Sequence, residues 1–222
     1  MKIIILVLSD NVDERYINLE KCIRNTWGDS SIDTYYYYGG NSEFSVTGDI
    51  INCISDEGLY NIGYKTIESF EYLNNLDFDY IFRTNSSSYV HVDRLIEFLE
   101  NKPKNDFYCG YINKCVVSGL IFGSGSGYFL SSDLVGKVIS EKENWNHELI
   151  DDVALGDLLI NKMGVKIIQS KRCDIDSIID DEFYCRGKKV SNIDSHFHFR
   201  CKTPTKERNL DIDIMNKLHR IF

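Results

Sequence analysis

Two prolines, Pro103 and Pro204, and one alanine, Ala154, are all that 222 residues hold of those types. With no repeat, low-complexity tract or long linker either, the chain has no visible seam, and one domain over residues 1–222 is expected. Paired cysteine spacing is also missing. The seven cysteines are odd in number and include no CxxC pair, which argues against a disulfide framework and a zinc ribbon. Reduced thiols in a cytoplasmic protein are the simplest account, with Cys22, Cys53 and Cys109 as small core groups. Positive charge is in deficit: the net charge of -9 excludes a uniformly basic nucleic-acid face and general attraction to anionic lipid. It leaves room for a local basic pocket facing a phosphate. The apolar run Ile3 to Leu8 is too short to span a membrane, is preceded only by Lys2, and leads to no cleavage-site pattern. No membrane span is expected.

What is present alternates strand and helix. Lys2 to Leu8 reads as a central parallel strand buried on both faces. The spacing of Ile17, Leu19, Cys22, Ile23 and Trp27 predicts a helix over 15–27, stopped by Gly28. Strands follow at Thr34 to Tyr38 and Asp49 to Ile54, a helix at Asn61 to Leu73, a strand at Tyr80 to Phe82, and a helix at Val92 to Leu99. Such alternation implies an α/β fold, a mostly parallel sheet with helices on both faces. Further strands are expected at Phe107 to Ile112, after the glycine run 123–127, at Val165 to Gln169 and at His196 to Phe199. Helices are expected at Asp133 to Ile139, capped by Ser131 or Ser132, from Asp151-Asp152 to about Met163, and at Leu210 to Phe222, with Thr205 as its cap. Asp174, Asp176, Asp180 and Asp181 read as a solvated polar loop.

Three constellations can carry chemistry. The fourth strand runs straight into Arg83-Thr84-Asn85-Ser86-Ser87-Ser88, and open α/β sheets bind ligands outside the carboxyl ends of their strands; the plain alternative is an ordinary loop of turn and cap residues. Asp151-Asp152 opens a helix, where acids are favoured by the macrodipole, and one of the two carboxylates can serve as a general base. In His196-Phe197-His198-Phe199-Arg200-Cys201-Lys202 the alternate residues His196, His198, Arg200 and Lys202 share a face. That face suits a phosphate or diphosphate; a charged edge strand and a two-histidine metal site are the alternatives. Gly123-Ser124-Gly125-Ser126-Gly127 lacks a P-loop lysine and instead signals close backbone approach to something bulky.

Taken together and in order, several segments resemble the β-1,3-glycosyltransferase family, which includes the β-1,3-galactosyl- and N-acetylglucosaminyltransferases and the Fringe proteins. Ile23-Arg24-Asn25-Thr26-Trp27-Gly28 is similar to its I-R-x-T-W-G block, although Leu19-Glu20 stand where paired arginines are expected upstream. Asp56 to Thr66 is similar to D-x-Y-x-N-L-x-x-K-T. Gly125 to Ser131 resembles the S-G-x-G-Y-x-L-S segment. Ile150-Asp151-Asp152-Val153 with Gly156 resembles [ED]-D-V-x-x-G, which carries the presumed catalytic base, and His198 to Lys202 resembles a late H-x-x-x-K segment. One departure is large. Where the family has K-T-D-D-D-x-F-V, this chain has Arg83-Thr84-Asn85-Ser86-Ser87-Ser88-Tyr89-Val90, so the D-x-D acids are replaced by Asn and Ser. These are poor ligands for a divalent hard cation.

The resemblance implies a single GT-A domain, with a nucleotide-binding half at about 1–100 and an acceptor and catalytic half at about 101–222. It implies an inverting hexosyl- or N-acetylhexosaminyltransferase that moves sugar from a nucleotide sugar, a UDP-sugar by expectation, to a glycan hydroxyl. Asp152 is the expected base and Asp151 the second choice. Ser9, Asp56 and Lys65 are expected near the nucleotide, and Asn85, Ser86 and Ser87 near the diphosphate and ribose. Arg83, Gly127, His198, Arg200 and Lys202 complete the nucleotide-sugar set. Catalysis without metal is expected, with Arg200 and Lys202, joined by Arg83, in the metal's place, because a leaving diphosphate needs positive charge rather than a metal as such; Mn²⁺ remains the alternative. The membrane-anchored secretory location of the animal enzymes is not carried over. Two other classes compete: a catalytically degenerate protein that binds nucleotide sugar or glycan, and a metal-dependent hydrolase built on the His and Asp residues.

Overall fold

The Ile/Val/Leu run at the start forms β1 (Ile3–Leu8), and it is buried on both faces because it lies in the middle of a sheet. On one side it pairs in parallel with β2 (Asp33–Tyr38), and on the other with β5 (Tyr80–Asn85); Ile5 stands opposite Thr34 and Phe82. This is a computed structural model, and it describes residues 1–203 and 208–222. The sheet is completed by β3 (Ser45–Thr47), β4 (Ile50–Asn52), β7 (Tyr108–Lys114), β8 (Ile121–Ser131) and β9 (Ile167–Gln169). Its order is β3-β4-β2-β1-β5-β8-β7-β9. The pairs β1–β2, β1–β5, β2–β4 and β7–β9 are parallel, whereas β3–β4, β5–β8 and β7–β8 are antiparallel.

Because side chains alternate along a strand, the sheet makes two cores. Ile3, Ile5, Val7, Phe82 and Phe129 face α1 (Glu14–Ile23), α3 (Val92–Leu99) and α6 (Asn209–Ile221). Ile4, Leu6, Tyr37, Ile81 and Leu130 face α2 (Ile62–Leu73), α4 (Ser132–Ser140) and α5 (Asp151–Gly156). Each fully buried Ile, Leu or Phe adds roughly 1.5–3 kcal/mol relative to an exposed one, so the two layers hold the strand ends rigidly. α1 and α5 both continue into a wider turn, over Arg24–Gly28 and Asp157–Lys162. Asp13 caps α1 by accepting from the Arg15 N–H at 2.9 Å.

A smaller sheet stands beyond the carboxyl end of β5. It pairs β10 (Arg172–Ile175) and β6 (Ser88–Val90) with β14 (His198–Cys201) at its centre. A ribbon of β11 (Ser177–Ile179), β12 (Glu182–Cys185) and β13 (Lys188–Lys189) follows β10.

Several sequence expectations are corrected here. The fourth strand extends to Asn85 and then turns at Ser86-Ser87 into β6 of the second sheet. The glycine run lies inside β8, not ahead of it. The expected strand Asp49 to Ile54 is short and belongs to a hairpin with β3 around Gly48. The expected strand at 196–199 begins at His198, and it is the centre of its sheet rather than the charged edge strand of the alternative reading. The polar loop of 174–181 is partly strand, with Asp180 and Asp181 at a positive-φ turn. Ser131 precedes α4 but does not cap it; its hydroxyl donates to Asp133 Oδ1 at 2.6 Å and accepts from the Phe107 N–H. Thr205, read as the cap of the last helix, lies outside the described residues. All seven cysteines are free, and among the described residues no helix is long and apolar enough to cross a membrane.

Candidate active site

The carboxyl ends of β1 and β5 open into a cavity of about 310 Å³, within the usual range for small-molecule sites. Its floor is Leu8 and Ser9 from β1 and the loop after it, with Asn85, Ser86 and Ser87 from the turn after β5. Glu57, Ile62 and Lys65 form one wall, and Arg200, Lys202 and Arg208 form another. The expected residues Ser9, Lys65, Asn85, Ser86, Ser87, Arg200 and Lys202 are thus brought together from both halves of the chain. Asp56 is exposed and does not line the cavity; its neighbour Glu57 does, and it pairs with the buried Lys65 ammonium.

The wall of cations is the electrostatic feature of this cavity. Among the described residues the carboxylate paired with Arg200 is Asp174 at 4.0 Å, and Asp174 is already held by Arg172 at 2.5 Å. Partial burial, and then the charges of Arg172 and Arg208, hold the Arg200 guanidinium below its ordinary value, and partial desolvation with the charges of Arg200 and Arg208 does the same to the Lys202 ammonium. A bound anion would relieve both groups. Arg208 was not singled out in the sequence. It sits in the left-handed region at φ 59, immediately before α6, where a non-glycine residue is strained. Its guanidinium is fixed there by Asp211 and by the Ser87 hydroxyl. The signal for it was slight: one basic residue ahead of an amphipathic helix.

A divalent cation is what the resemblance implies at Asn85-Ser86-Ser87, and the atoms there do not fit one. Asn85 Oδ1 accepts from the Ser87 N–H at 3.1 Å and the Ser88 hydroxyl at 3.4 Å, and Ser87 Oγ accepts from Arg208. No carboxylate stands at these positions, and a guanidinium already occupies the turn. Among the described residues no group of three His, Cys, Asp or Glu side chains could hold a metal ion.

The acid pair stands one strand away. α5 starts at Asp151-Asp152 and packs against β8. Asp152 Oδ2 accepts from the Gly125 N–H at 2.6 Å, and Oδ1 from the Val153 N–H at 3.0 Å. Asp151 is buried and paired with Arg83 Nη2 at 2.6 Å. The pair therefore divides: one acid is neutralised, and the other is held by peptide N–H groups. Burial first, and the neighbouring Asp151 charge second, raise the Asp152 carboxyl to about 6, so it ionises near neutrality. The cavity and this carboxylate are linked through β8, because the Ser126 carbonyl accepts from Thr84 at 2.6 Å and from Ser88 at 3.1 Å.

Besides Asp56, three residues of the expected nucleotide-sugar set lie apart from the cavity lining. Arg83 is 1% exposed, inside the sheet. Gly127 lies against His198 and Phe82, where a Cβ would meet His198 Nδ1 at 2.7 Å. His198 is fully buried, its Nε2 is 3.1 Å from Ser88 Oγ, and its Nδ1 has no hydrogen-bond partner among the described residues. Burial, then the charges of Arg172 and Arg200, push its imidazole down to about 3, so it is neutral and not part of the cationic wall. His196 is on the far side, against Asn192 and Ser195. The face of four expected cations thus reduces to Arg200 and Lys202.

The motif residues that do not touch the cavity have structural work. Arg24 bridges Glu20 and Asp49 and stacks 3.9 Å over the Tyr36 ring, and the buried Trp27 donates to the Ser88 carbonyl at 3.0 Å. The first block therefore ties α1 to β2 and β6. Gly156 faces the β8 backbone so closely that a Cβ would stand 2.7 Å from the Ile121 carbonyl oxygen.

No family model matches the chain. Among curated proteins, β-1,3-galactosyltransferase 5 of Pan paniscus is 24% identical over 200 residues, covering 73% of this chain and 66% of its own length. The enzyme of that name from Mus musculus is 26% identical over 199 residues, covering 72% of this chain and 64% of its own. The chain thus spans about two thirds of the length of these relatives. Among solved structures, a glycosyltransferase involved in glycosylation of the major capsid of PBCV-1 superposes with a TM-score of 0.50 at 12% identity, covering 97% of this chain and all of that one. The GT-A glycosyltransferase fold follows from that likeness.

Proposed function

We infer that this chain, a glycosyltransferase of GT-A fold related to the β-1,3-galactosyltransferases, transfers a hexose or N-acetylhexosamine from a nucleotide sugar to a hydroxyl of a glycan acceptor. The observation that carries the reading is the pairing of a cation-walled cavity at the strand ends with a carboxylate poised near neutrality on α5, held against the adjoining strand β8. The nucleotide, UDP by preference, occupies the cavity beside Ser9 and Lys65. Its diphosphate lies against Arg200, Lys202 and Arg208, with Asn85, Ser86 and Ser87 at its base and ribose. Asp152 takes the proton of the acceptor hydroxyl as that oxygen attacks the anomeric carbon. The nucleoside diphosphate leaves from the opposite face, so the configuration inverts in a single displacement. The three cations balance the charge that develops on the leaving group, and no metal is required. The first hundred residues supply most of the nucleotide floor and the remainder supplies the base, the cations and the acceptor side. Seven unpaired cysteines support a reducing, cytoplasmic setting.

A panel of nucleotide sugars with glycan acceptors, assayed with EDTA and with Mn²⁺, tests this. The expected result is turnover in EDTA within about twofold of that in Mn²⁺. Turnover only with Mn²⁺ would show that the cations do not replace a metal. Nucleotide binding without turnover of any donor would favour the degenerate binding protein.

A further inference from the structure

We propose that Arg83 is a positioning residue for the base: by neutralising Asp151 and gripping Gly125 it leaves Asp152 as the carboxylate of the pair with no ion-pair partner, held from α5 against β8. The assignment rests on the reading of Asp152 as the base, and it gives Arg83 a place different from contact with the sugar donor.

The geometry is a closed set of bonds. Arg83 Nη2 donates to Asp151 Oδ2 at 2.6 Å, Nη1 donates to the Gly125 carbonyl, and Nε donates to the Tyr37 hydroxyl at 3.0 Å. Tyr37 is itself fixed, its hydroxyl 3.1 Å from Thr66 Oγ1. The same Gly125 whose carbonyl Arg83 holds gives its N–H to Asp152 Oδ2 at 2.6 Å. One glycine thus carries the arginine on one side of its peptide unit and the catalytic carboxylate on the other. A Cβ at Gly125 would stand 3.0 Å from Arg83 Nη1 and 3.1 Å from Asp152 Oδ2, which shows how narrow the gap is.

Charge explains why the arginine is needed. Two adjacent buried carboxylates cannot both stay ionised without compensation, and removing one partner of a buried pair leaves an uncompensated charge. The groups acting on Asp152 are Arg83 from β5, Asp151 from its own helix, Tyr108 from β7 and Cys115 beyond β7, while Tyr37 from β2 and Tyr128 from β8 face Asp151 and Arg83. The phenols stay protonated, since burial pushes Tyr37 up to about 12 and Tyr108 and Tyr128 upward as well. Arg83 is thus the cation that Asp152 and Asp151 share.

The test measures the carboxyl titration of Asp152 by carbon-13 NMR, assigned through Asp152→Asn, alongside steady-state kinetics, in wild type, Arg83→Met, Arg83→Lys and the pair Arg83→Met with Asp151→Asn. In Arg83→Met the midpoint should rise by at least about one pH unit, as for loss of a close opposite charge. kcat should fall about 10²-fold while KM for the sugar donor stays within about twofold. Arg83→Lys keeps the charge and should hold the midpoint near wild type while kcat still falls, because the Gly125 carbonyl loses its fork. If Arg83→Met does not fold, the charge-neutral pair variant carries the test: its midpoint should return near wild type with kcat still reduced. A folded Arg83→Met with an unchanged midpoint, or a pair variant with wild-type kcat, overturns the proposal. Should wild type transfer no sugar, the glycosyltransferase reading fails, and the midpoints alone still decide whether Arg83 sets the state of Asp152.

Discussion

At the scale of single residues, the division of labour between Asp151 and Asp152 decides the pH dependence. Asp152 ionises at about 6, raised from 3.8 by burial and by Asp151. A base must be deprotonated to act, so kcat/KM should climb tenfold per pH unit below about 6 and level off above it. The stability effect has the opposite sign. Because the folded carboxyl binds its proton more tightly than the unfolded one, this group's contribution to stability is complete below about pH 4 and is lost as pH rises through about 6. Asp152→Asn should abolish the pH-dependent limb and lower kcat by about 10²–10⁴-fold. Its thermal stability should stay within a few degrees, because two effects oppose. The amide removes a charge that burial disfavours, but it cannot accept from both the Gly125 and Val153 N–H groups as the carboxylate does. Kinetics from pH 4.5 to 8.5 and melting curves of both proteins check this; a flat wild-type profile across pH 6 would remove Asp152 from the base role.

At the scale of elements, the placement of the acids depends on how closely α5 approaches β8. Asp152 and Gly156 are four residues apart and so share a helix face; the first meets Gly125 and the second lies on the backbone of Ile121 and Phe122. Gly156→Ala should gain up to about 1 kcal/mol of helix propensity. The clash with fixed backbone should outweigh it at about 2–3 kcal/mol, lowering Tm by several degrees and displacing Asp152 from Gly125. A variant as stable and as active as wild type would mean the close approach is not needed. The glycine of this motif was legible in the sequence, but its reason was not, since nothing local says that a strand backbone will lie across it. The same holds elsewhere. Long apolar or alternating segments such as Ile3 to Leu8 and Val92 to Leu99 declared themselves, because burial of a whole face needs a sustained pattern. β10 to β13 did not, being only two to four residues long. Arg83 reads in the sequence as the start of a polar cluster, and only the register of β5 on β8 turns its side chain inward, beside Tyr128. Arg208 reaches Ser87 across 121 residues, a pairing no spacing rule reveals.

At the scale of the molecule, a chain of net charge -9 presents a cationic wall to one cavity, and that wall is built from its last quarter while the floor comes from its first half. A diphosphate bound there would join Arg200, Lys202 and Arg208 to the ends of β1 and β5, so binding and global stability should be coupled. At a ligand concentration about 100 times Kd the gain is about 2.7 kcal/mol, which for a chain of this size raises Tm by about 5–10 °C. UDP should give this shift in EDTA as fully as in Mn²⁺. Hydrogen bonds to charged groups contribute about 1.5–3 kcal/mol each, so Arg200→Ala combined with Lys202→Ala should weaken binding about 100-fold and shrink the shift, at the same ligand concentration, to about 1–2 °C. Added salt should act in the same direction, because Lys202 is exposed and Arg200 half-buried, and such charges are screened within about 10 Å at 0.1 M. Thermal-shift titrations of both proteins with UDP and with uridine alone separate the contributions: uridine, which carries no phosphate, should bind the two proteins equally. An equal loss for uridine would place Arg200 and Lys202 in support of the fold, and an unchanged UDP shift in the double variant would place the phosphates elsewhere.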